Sequence, residues 1–181
     1  MAIGITLKKA DKNGDPGKSK FFGDPVVPNA WAERDFGEQI FFCQINLADI
    51  AALDTENRLP RTGWLYVFLD TEVYPYKPAV YYYDGEPDTV LDAFNEFDPA
   101  FARLTQAWEM TFAPTDDEAE GIRLFGVPTD WNYAEQAPKL FMQFDPLAYP
   151  LGFMDDVDGF AYFFYGDDDD VENVRLHVER S

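Results

Sequence analysis

Phe22-Gly23-Asp24-Pro25, Phe42-Cys43-Gln44-Ile45-Asn46 and Gly63-Trp64-Leu65-Tyr66-Val67-Phe68 have counterparts later in the chain. The counterparts are Phe125-Gly126-Val127-Pro128, Phe141-Met142-Gln143-Phe144-Asp145 and Gly159-Phe160-Ala161-Tyr162-Phe163-Phe164, in the same order. A tryptophan comes after the first segment both times, as Trp31 and Trp131. Three matches in order predict internal duplication of one unit. Phe-Gly-x-Pro reads as a turn, because Gly tolerates unusual backbone angles and Pro fixes its own. Ile40–Ile45 and Leu140–Phe144 are short apolar runs and read as buried strands. Gly63 and Gly159 each open an aromatic strand.

Outward from these signatures, Asn46 precedes Leu47, Ile50 and Leu53 at helical spacing, which predicts a short capped helix. Pro146 and Pro150 argue against a matching helix after Asp145. Val80–Tyr83 reads as a strand. Asp88 is placed to cap a helix whose apolar face is Val90, Leu91, Phe94 and Phe97. Leu104–Phe112 reads as a strand by alternation, and Val174, Leu176 and Val178 as a last strand at a sheet edge. No Gly/Ser-rich linker divides the halves. The expectation is one domain over residues 1–181, with repeat units at about 20–113 and 121–178 sharing one core.

Composition agrees with a strand-rich domain. Aromatic residues make up 17% of the chain and hydrophobic residues 46%, which suits half-buried pleated surfaces and a substantial core. Against 14 basic residues stand 34 acidic ones, a formal net charge of −20. Such a chain repels DNA, RNA and anionic membranes, whereas a basic protein partner is permitted. The sole cysteine, Cys43, lies inside an apolar run and reads as a buried thiol. A single cysteine allows no intrachain disulfide, which fits a reducing compartment. Met1–Ala10 lacks the apolar core of a signal peptide, and no apolar run is long enough to span a bilayer. The expected location is the cytoplasm.

The chain resembles the YwqG-like family of bacterial proteins, a family of unknown function. The similar residues are Phe22-Gly23-x-Pro25, the run from Phe42 to Leu47, and Leu59-Pro60-x-x-Gly63-x-Leu65-x-x-Phe68. In the second half they are Leu124–Pro128, Leu140–Asp145 and Asp156-x-x-Gly159. The similarity spans about residues 20–166; the second half departs at Pro146 and in the longer Asp155–Asp158 segment. The resemblance implies an α+β, predominantly antiparallel β architecture and carries no catalytic residue over. Relatives of this kind look like proteins found beside bacterial toxin genes, which implies an immunity role by association.

Candidate chemistry is sparse. His177, the sole histidine, falls on the face of the last strand opposite Val174, Leu176 and Val178, so exposure is expected. It has no nucleophile beside it in a recognisable motif. No G-x-S-x-G elbow, P-loop or dinucleotide fingerprint occurs. Asp11-Lys12-Asn13-Gly14-Asp15 echoes a calcium loop with the wrong spacing, and Asp145, Asp155, Asp156 and Asp158 read as solvated turns. No metal, cofactor or catalytic residue is expected. Gln44 and Gln143 are polar residues inside apolar runs: each ties its strand to a loop, or with Trp31 and Trp131 lines a pocket between the units. The acidic runs carry the sharpest expectation. Asp167, Asp168, Asp169 and Asp170, then Asp116, Asp117, Glu118 and Glu120, are the candidate partner-binding residues, because clustered carboxylates imitate phosphate charge and steer a basic partner. The expected function is a non-enzymatic bacterial immunity protein that binds and neutralises a cognate toxin, such as a nuclease. The alternative is a small-ligand-binding domain or unrecognised enzyme with a pocket between the two repeat units.

Overall fold

The structure is a computed structural model that describes residues 1–11, 14–131, 136–166 and 170–179. The strands are β1 (Ala2–Lys9), β2 (Lys20–Phe21), β3 (Val26–Val27), β4 (Gln39–Asn46), β5 (Trp64–Asp70) and β6 (Lys77–Tyr83). They continue with β7 (Thr89–Val90), β8 (Trp108–Thr115), β9 (Arg123–Leu124), β10 (Leu140–Phe144), β11 (Ala161–Tyr165) and β12 (Val174–Val178). Among the described residues, ten of these form one sheet in the order β12-β11-β10-β9-β1-β8-β2-β4-β5-β6, and β3 pairs with β7 separately. All pairs are antiparallel. The sheet curls into a nearly closed barrel, so that its two end strands, β6 and β12, lie side by side. The antiparallel part of the expected architecture is present. Among the described residues, the helical part shrinks to α1 (Leu47–Ile50) and three 3₁₀ segments, Asn29–Trp31, Phe94–Phe97 and Pro99–Thr105.

The order places β2-β4-β5-β6 on one side of the central β1–β8 pair and β9-β10-β11-β12 on the other. Each central strand leans on the distant half. β1 precedes β2 in the chain yet pairs with β9, through Ile3↔Leu124 and Gly4↔Arg123. β8 precedes β9 yet pairs with β2, through Trp108↔Phe21 and Glu109↔Lys20. Matching backbone bonds extend both pairings, Ile5 N to Ile122 O at 2.8 Å and Met110 N to Ser19 O at 2.9 Å.

Side-chain alternation turns Ile3, Ile5 and Leu7 of β1 inward, while Thr6 and Lys8 face water. β4, β5, β10 and β11 bury nearly every residue, because both faces are covered. The barrel interior draws on both halves: the Phe42 ring stacks on Phe163 at 5.2 Å and meets Phe144 edge-on at 5.1 Å. Burying several phenylalanines this way is worth roughly 2 kcal/mol each. Two smaller aromatic clusters lie on the outer face. One is built on Phe41, Trp64, Tyr66 and Phe68, the other on Leu140, Tyr162 and Phe164.

Local expectations fared unevenly. The Asn46 side chain accepts from Ala48 N at 3.1 Å and caps α1. Asp145 instead accepts from Leu147 N and Ala148 N in a turn, with Pro146 between. The helix expected after Asp88 is absent. Thr89–Val90 pairs with β3, Asp88 accepts from Asn29 N at 2.9 Å, and Ala93 takes a positive φ of 56° that interrupts helical winding before Phe94–Phe97. Leu104 belongs to the 3₁₀ segment Pro99–Thr105, and the strand begins four residues later, at Trp108.

Both Phe-Gly-x-Pro turns place two successive residues in the left-handed region. The φ values are 56° and 70° at Phe22 and Gly23, and 64° and 82° at Phe125 and Gly126. A Cβ on Gly23 would sit 2.7 Å from the Ala107 Cβ, and one on Gly126 would run into the Asp117 carbonyl oxygen. Gly37 also has a positive φ, 58°, but open space around it. Gly126→Ala is therefore expected to lower stability by about 2–3 kcal/mol in urea unfolding, and Gly37→Ala by about 1 kcal/mol. Equal losses would show that the close approach to Asp117 is unimportant.

Candidate functional site

Each Phe-Gly-x-Pro turn is held from below by a buried amide, a buried cation and a buried phenol. In the first half, Gln44 Oε1 accepts from Val26 N at 2.9 Å and its Nε2 donates to Lys18 O at 3.1 Å. Lys20, opposite Gln44 in the β2–β4 register, donates from Nζ to Asp24 O at 2.7 Å. The Tyr66 hydroxyl donates to Val26 O at 2.8 Å. In the second half, Gln143 Oε1 accepts from Thr129 N at 2.9 Å and its Nε2 donates to Gly121 O at 3.0 Å. Arg123, opposite Gln143, donates from Nη2 to Val127 O and to Gln143 Oε1, and from Nη1 to Phe125 O. The Tyr162 hydroxyl donates to Thr129 O.

These groups answer an accounting demand. A tight turn seated on a dry core exposes carbonyls that water cannot reach, so side-chain donors must reach them. Lys20 and Arg123 are 1% and 0% exposed, and desolvation is costly for both. Burial pushes the Lys20 ammonium down to about 8, against the pull of Asp24 and Glu109. Burial likewise lowers Arg123, opposed by Asp117 and Tyr162. Sequence reasoning found the two glutamines but missed the two cations. The available signal was a basic residue two positions before the phenylalanine of each turn.

Trp31 and Trp131 lie on the outer face of the sheet. Trp31 packs against Tyr66, Tyr81 and Tyr83 at 5.2, 5.7 and 6.3 Å between ring centres. Trp131 packs against Tyr162, Phe164 and His177 at 5.9, 5.3 and 5.5 Å. His177 is therefore half-buried, contrary to the exposure expected from alternation. The face opposite Val174 and Leu176 meets an aromatic cluster instead of water, and burial lowers the imidazole pKa. Nearby, desolvation raises the Glu179 carboxyl, the Tyr162 hydroxyl counteracts this by hydrogen bonding, and Asp130 raises it further. Cys43 is buried, and desolvation raises its thiol, so it is no nucleophile in this setting.

Four open clefts on the described surface have linings that include none of Gln44, Gln143, Trp31 and Trp131. One, of about 450 Å³, lies between Arg103 of the first half and Leu147, Tyr149 and Gly152 of the second. Among the described residues, no group of three or more His, Cys, Asp or Glu side chains is placed to hold a metal ion. No described helix is long and apolar enough to cross a membrane.

A family model for a domain of unknown function, DUF1963, matches residues 19–173. The chain belongs to the DUF1963 family. Among curated proteins and among solved structures, none matches it. The matched range takes in both cradled turns, both glutamines and all of the acidic run at 116–120.

In this DUF1963 chain the acidic run at 116–120 and Asp170 lie at one end of the barrel. Ala2 of β1 lies near Leu124 of β9, whose neighbour β10 begins there, and the β11–β12 turn is at the same end. Asp116, Asp117, Glu118 and Glu120 are exposed, but their backbone is pinned. Ala119 O accepts from Arg123 Nε at 2.8 Å and Thr129 Oγ1 at 3.1 Å, and Asp117 O accepts from Val127 N at 2.9 Å. Asp170 is exposed, and its carboxylate accepts from Glu172 N at 3.0 Å. Glu172 in turn accepts from Tyr82 N, which joins this turn to the edge of β6. Asp167, Asp168 and Asp169 lie outside the described residues.

Gln143→Met is expected to cost about 2–4 kcal/mol in denaturant unfolding, because Thr129 N, Gly121 O and part of Arg123 lose partners in a dry site. A loss below 1 kcal/mol would mean that the cradle is not needed. Lys20 supplies a pH signature. Its folded pKa is depressed, so between about pH 8 and its unfolded value near 10.5 the unfolded chain binds the extra proton. Stability then gains from this group as pH rises through that window. Relative to Lys20→Met, the native chain should become more stable from pH 8 to pH 10; a constant difference would contradict a desolvated ammonium.

Proposed function

We propose that this protein is a non-enzymatic bacterial immunity protein of the cytoplasm, which binds and neutralises a cognate basic toxin, a nuclease. The resemblance to the YwqG-like family supports this by association. The observation that carries it is the Asp116–Glu120 turn: exposed carboxylates on a backbone locked to the buried Arg123–Gln143–Thr129 network. A solvated acidic loop would have to be ordered on binding, whereas a pinned one presents its charges without that entropic cost. Such a surface steers a cationic cleft towards it and fixes the orientation of the complex. Inhibition then comes from steric block.

We also read the two halves as copies of one unit. Turn, amide, cation, phenol and outer tryptophan recur with the same hydrogen-bond directions. A ligand pocket between the copies finds less support, because both amides are spent on backbone groups.

The test is protection of a bacterial cell expressing the toxin encoded beside this chain's gene, and then association kinetics on the purified pair. The combined substitution Asp116→Asn, Asp117→Asn, Glu118→Gln and Glu120→Gln should slow association at least about tenfold at low salt, with a smaller effect at high salt. Absence of protection by the native chain would end the immunity reading. An unchanged association rate in the neutralised variant would remove the acidic turn from the interface.

A further inference from the structure

Arg34 places its guanidinium over aromatic rings although the chain is rich in carboxylates. Its central carbon lies 4.1 Å from the ring centre of Tyr81, 5.4 Å from Phe36 and 5.5 Å from Trp31. Glu33 and Asp35 flank Arg34 in sequence, yet among the described residues its guanidinium forms no ion pair. The three rings are half-buried, whereas Arg34 is exposed. The cage is rigid from beneath. Phe36 stacks on buried Phe68 at 4.8 Å, and Trp31 meets buried Tyr66 edge-on at 5.2 Å. The backbone also holds it, since Arg34 N donates to Trp31 O at 3.0 Å.

Carboxylates follow the cage strand along the chain. Asp84 and Glu86 come after Tyr83 at the end of β6, both exposed, and Glu172 reaches the Tyr82 backbone on the same strand. An aromatic cage favours a flat, weakly hydrated cation, and arginine suits that better than lysine. The resident occupant already displays that chemistry, and it is carried on an exposed segment outside the sheet.

We propose that the Trp31–Phe36–Tyr81 cage is a recognition site for the guanidinium of an arginine carried by a basic partner polypeptide, with Arg34 as the chain's own occupant until the partner displaces it. That the carrier is a basic protein rests on the immunity reading; the preference of the cage for a guanidinium does not. Arginine is among the residues that anchor interfaces most often, and a preformed ring pocket lowers the ordering cost of receiving it.

The experiment uses the full chain and N-acetyl-arginine methylamide as probe, with N-acetyl-glutamine methylamide as the neutral control. The readout is the NMR indole signal of Trp31, assigned with Trp31→Phe. Arg34→Ala empties the cage, and Arg34→Lys keeps a resident cation. Saturable shifts at millimolar probe are expected in Arg34→Ala, at least about tenfold weaker binding in the native chain and in Arg34→Lys, and no response to the neutral control. Binding to Arg34→Ala no tighter than to the native chain, or an equal response to both probes, would overturn the site. No toxin is needed, so a negative titration leaves the immunity reading standing. A positive titration with no toxin protection would keep the site and remove that reading.

Discussion

The pairing of β1 with β8 is the constraint on which the rest depends. It runs without interruption from Ala2↔Thr115 to Lys9↔Trp108. Because the partners are about a hundred residues apart, neither half can complete its sheet alone. β1 supplies the neighbour that β9 needs, and β8 the one that β2 needs. The exchange also sets the two arms of the sheet on opposite sides of one seam, so their curvature closes around a common interior. Phe21 and Phe42 from one arm then meet Phe144 and Phe163 from the other. An interior assembled this way loses its cross-half contacts together if the central pair fails, since Phe21 and Phe42 each pack against rings of the distant half.

A barrel with so dry an interior raises a problem at its rims, where the chain must reverse. The two Phe-Gly-x-Pro turns meet it with the same parts: left-handed backbone at the phenylalanine and glycine, a buried cation reaching the turn carbonyls, and a glutamine clamping the backbone just beyond the turn. Buried cations are expensive, and the depressed Lys20 pKa records the cost. They persist because an unpaired carbonyl in the same place would cost about as much. The rigidity spreads outward. The acidic turn at 116–120 shares Arg123 and Thr129 with its cradle, so exposed carboxylates inherit the order of the core.

Charge and aromaticity thus divide the surface. The exposed carboxylates of the 116–120 turn and Asp170 put negative charge at one end of the barrel, while the outer face of β5 and β6 supplies rings. The two meet where the Asp170–Glu172 turn touches β6. On the proposed reading, a basic protein surface bearing arginine complements both features.

Much of this was legible in the order of residues. Turns need residues whose backbone limits are intrinsic, so Gly23, Pro25, Gly126 and Pro128 announced themselves. Apolar runs such as Ile40–Ile45 announced buried strands, because burial on both faces leaves no alternation. Asn46 announced α1, since capping is local. Gln44 and Gln143 stood out as polar residues in apolar surroundings, but their partners, Lys20 and Arg123, looked like ordinary surface charges. Only the pairing of β2 with β4 and of β9 with β10 brings each cation under its turn. The same holds for His177, whose alternation pointed to water until Trp131 was folded over it, and for Thr89–Val90, drawn into strand by β3. Local chain stiffness and apolar patterning are properties of neighbouring residues and can be read in one dimension. Which strand exchanges sides, which charge is buried and which ring covers which face are set by contacts between residues far apart in the chain, and those exist only once the barrel has closed.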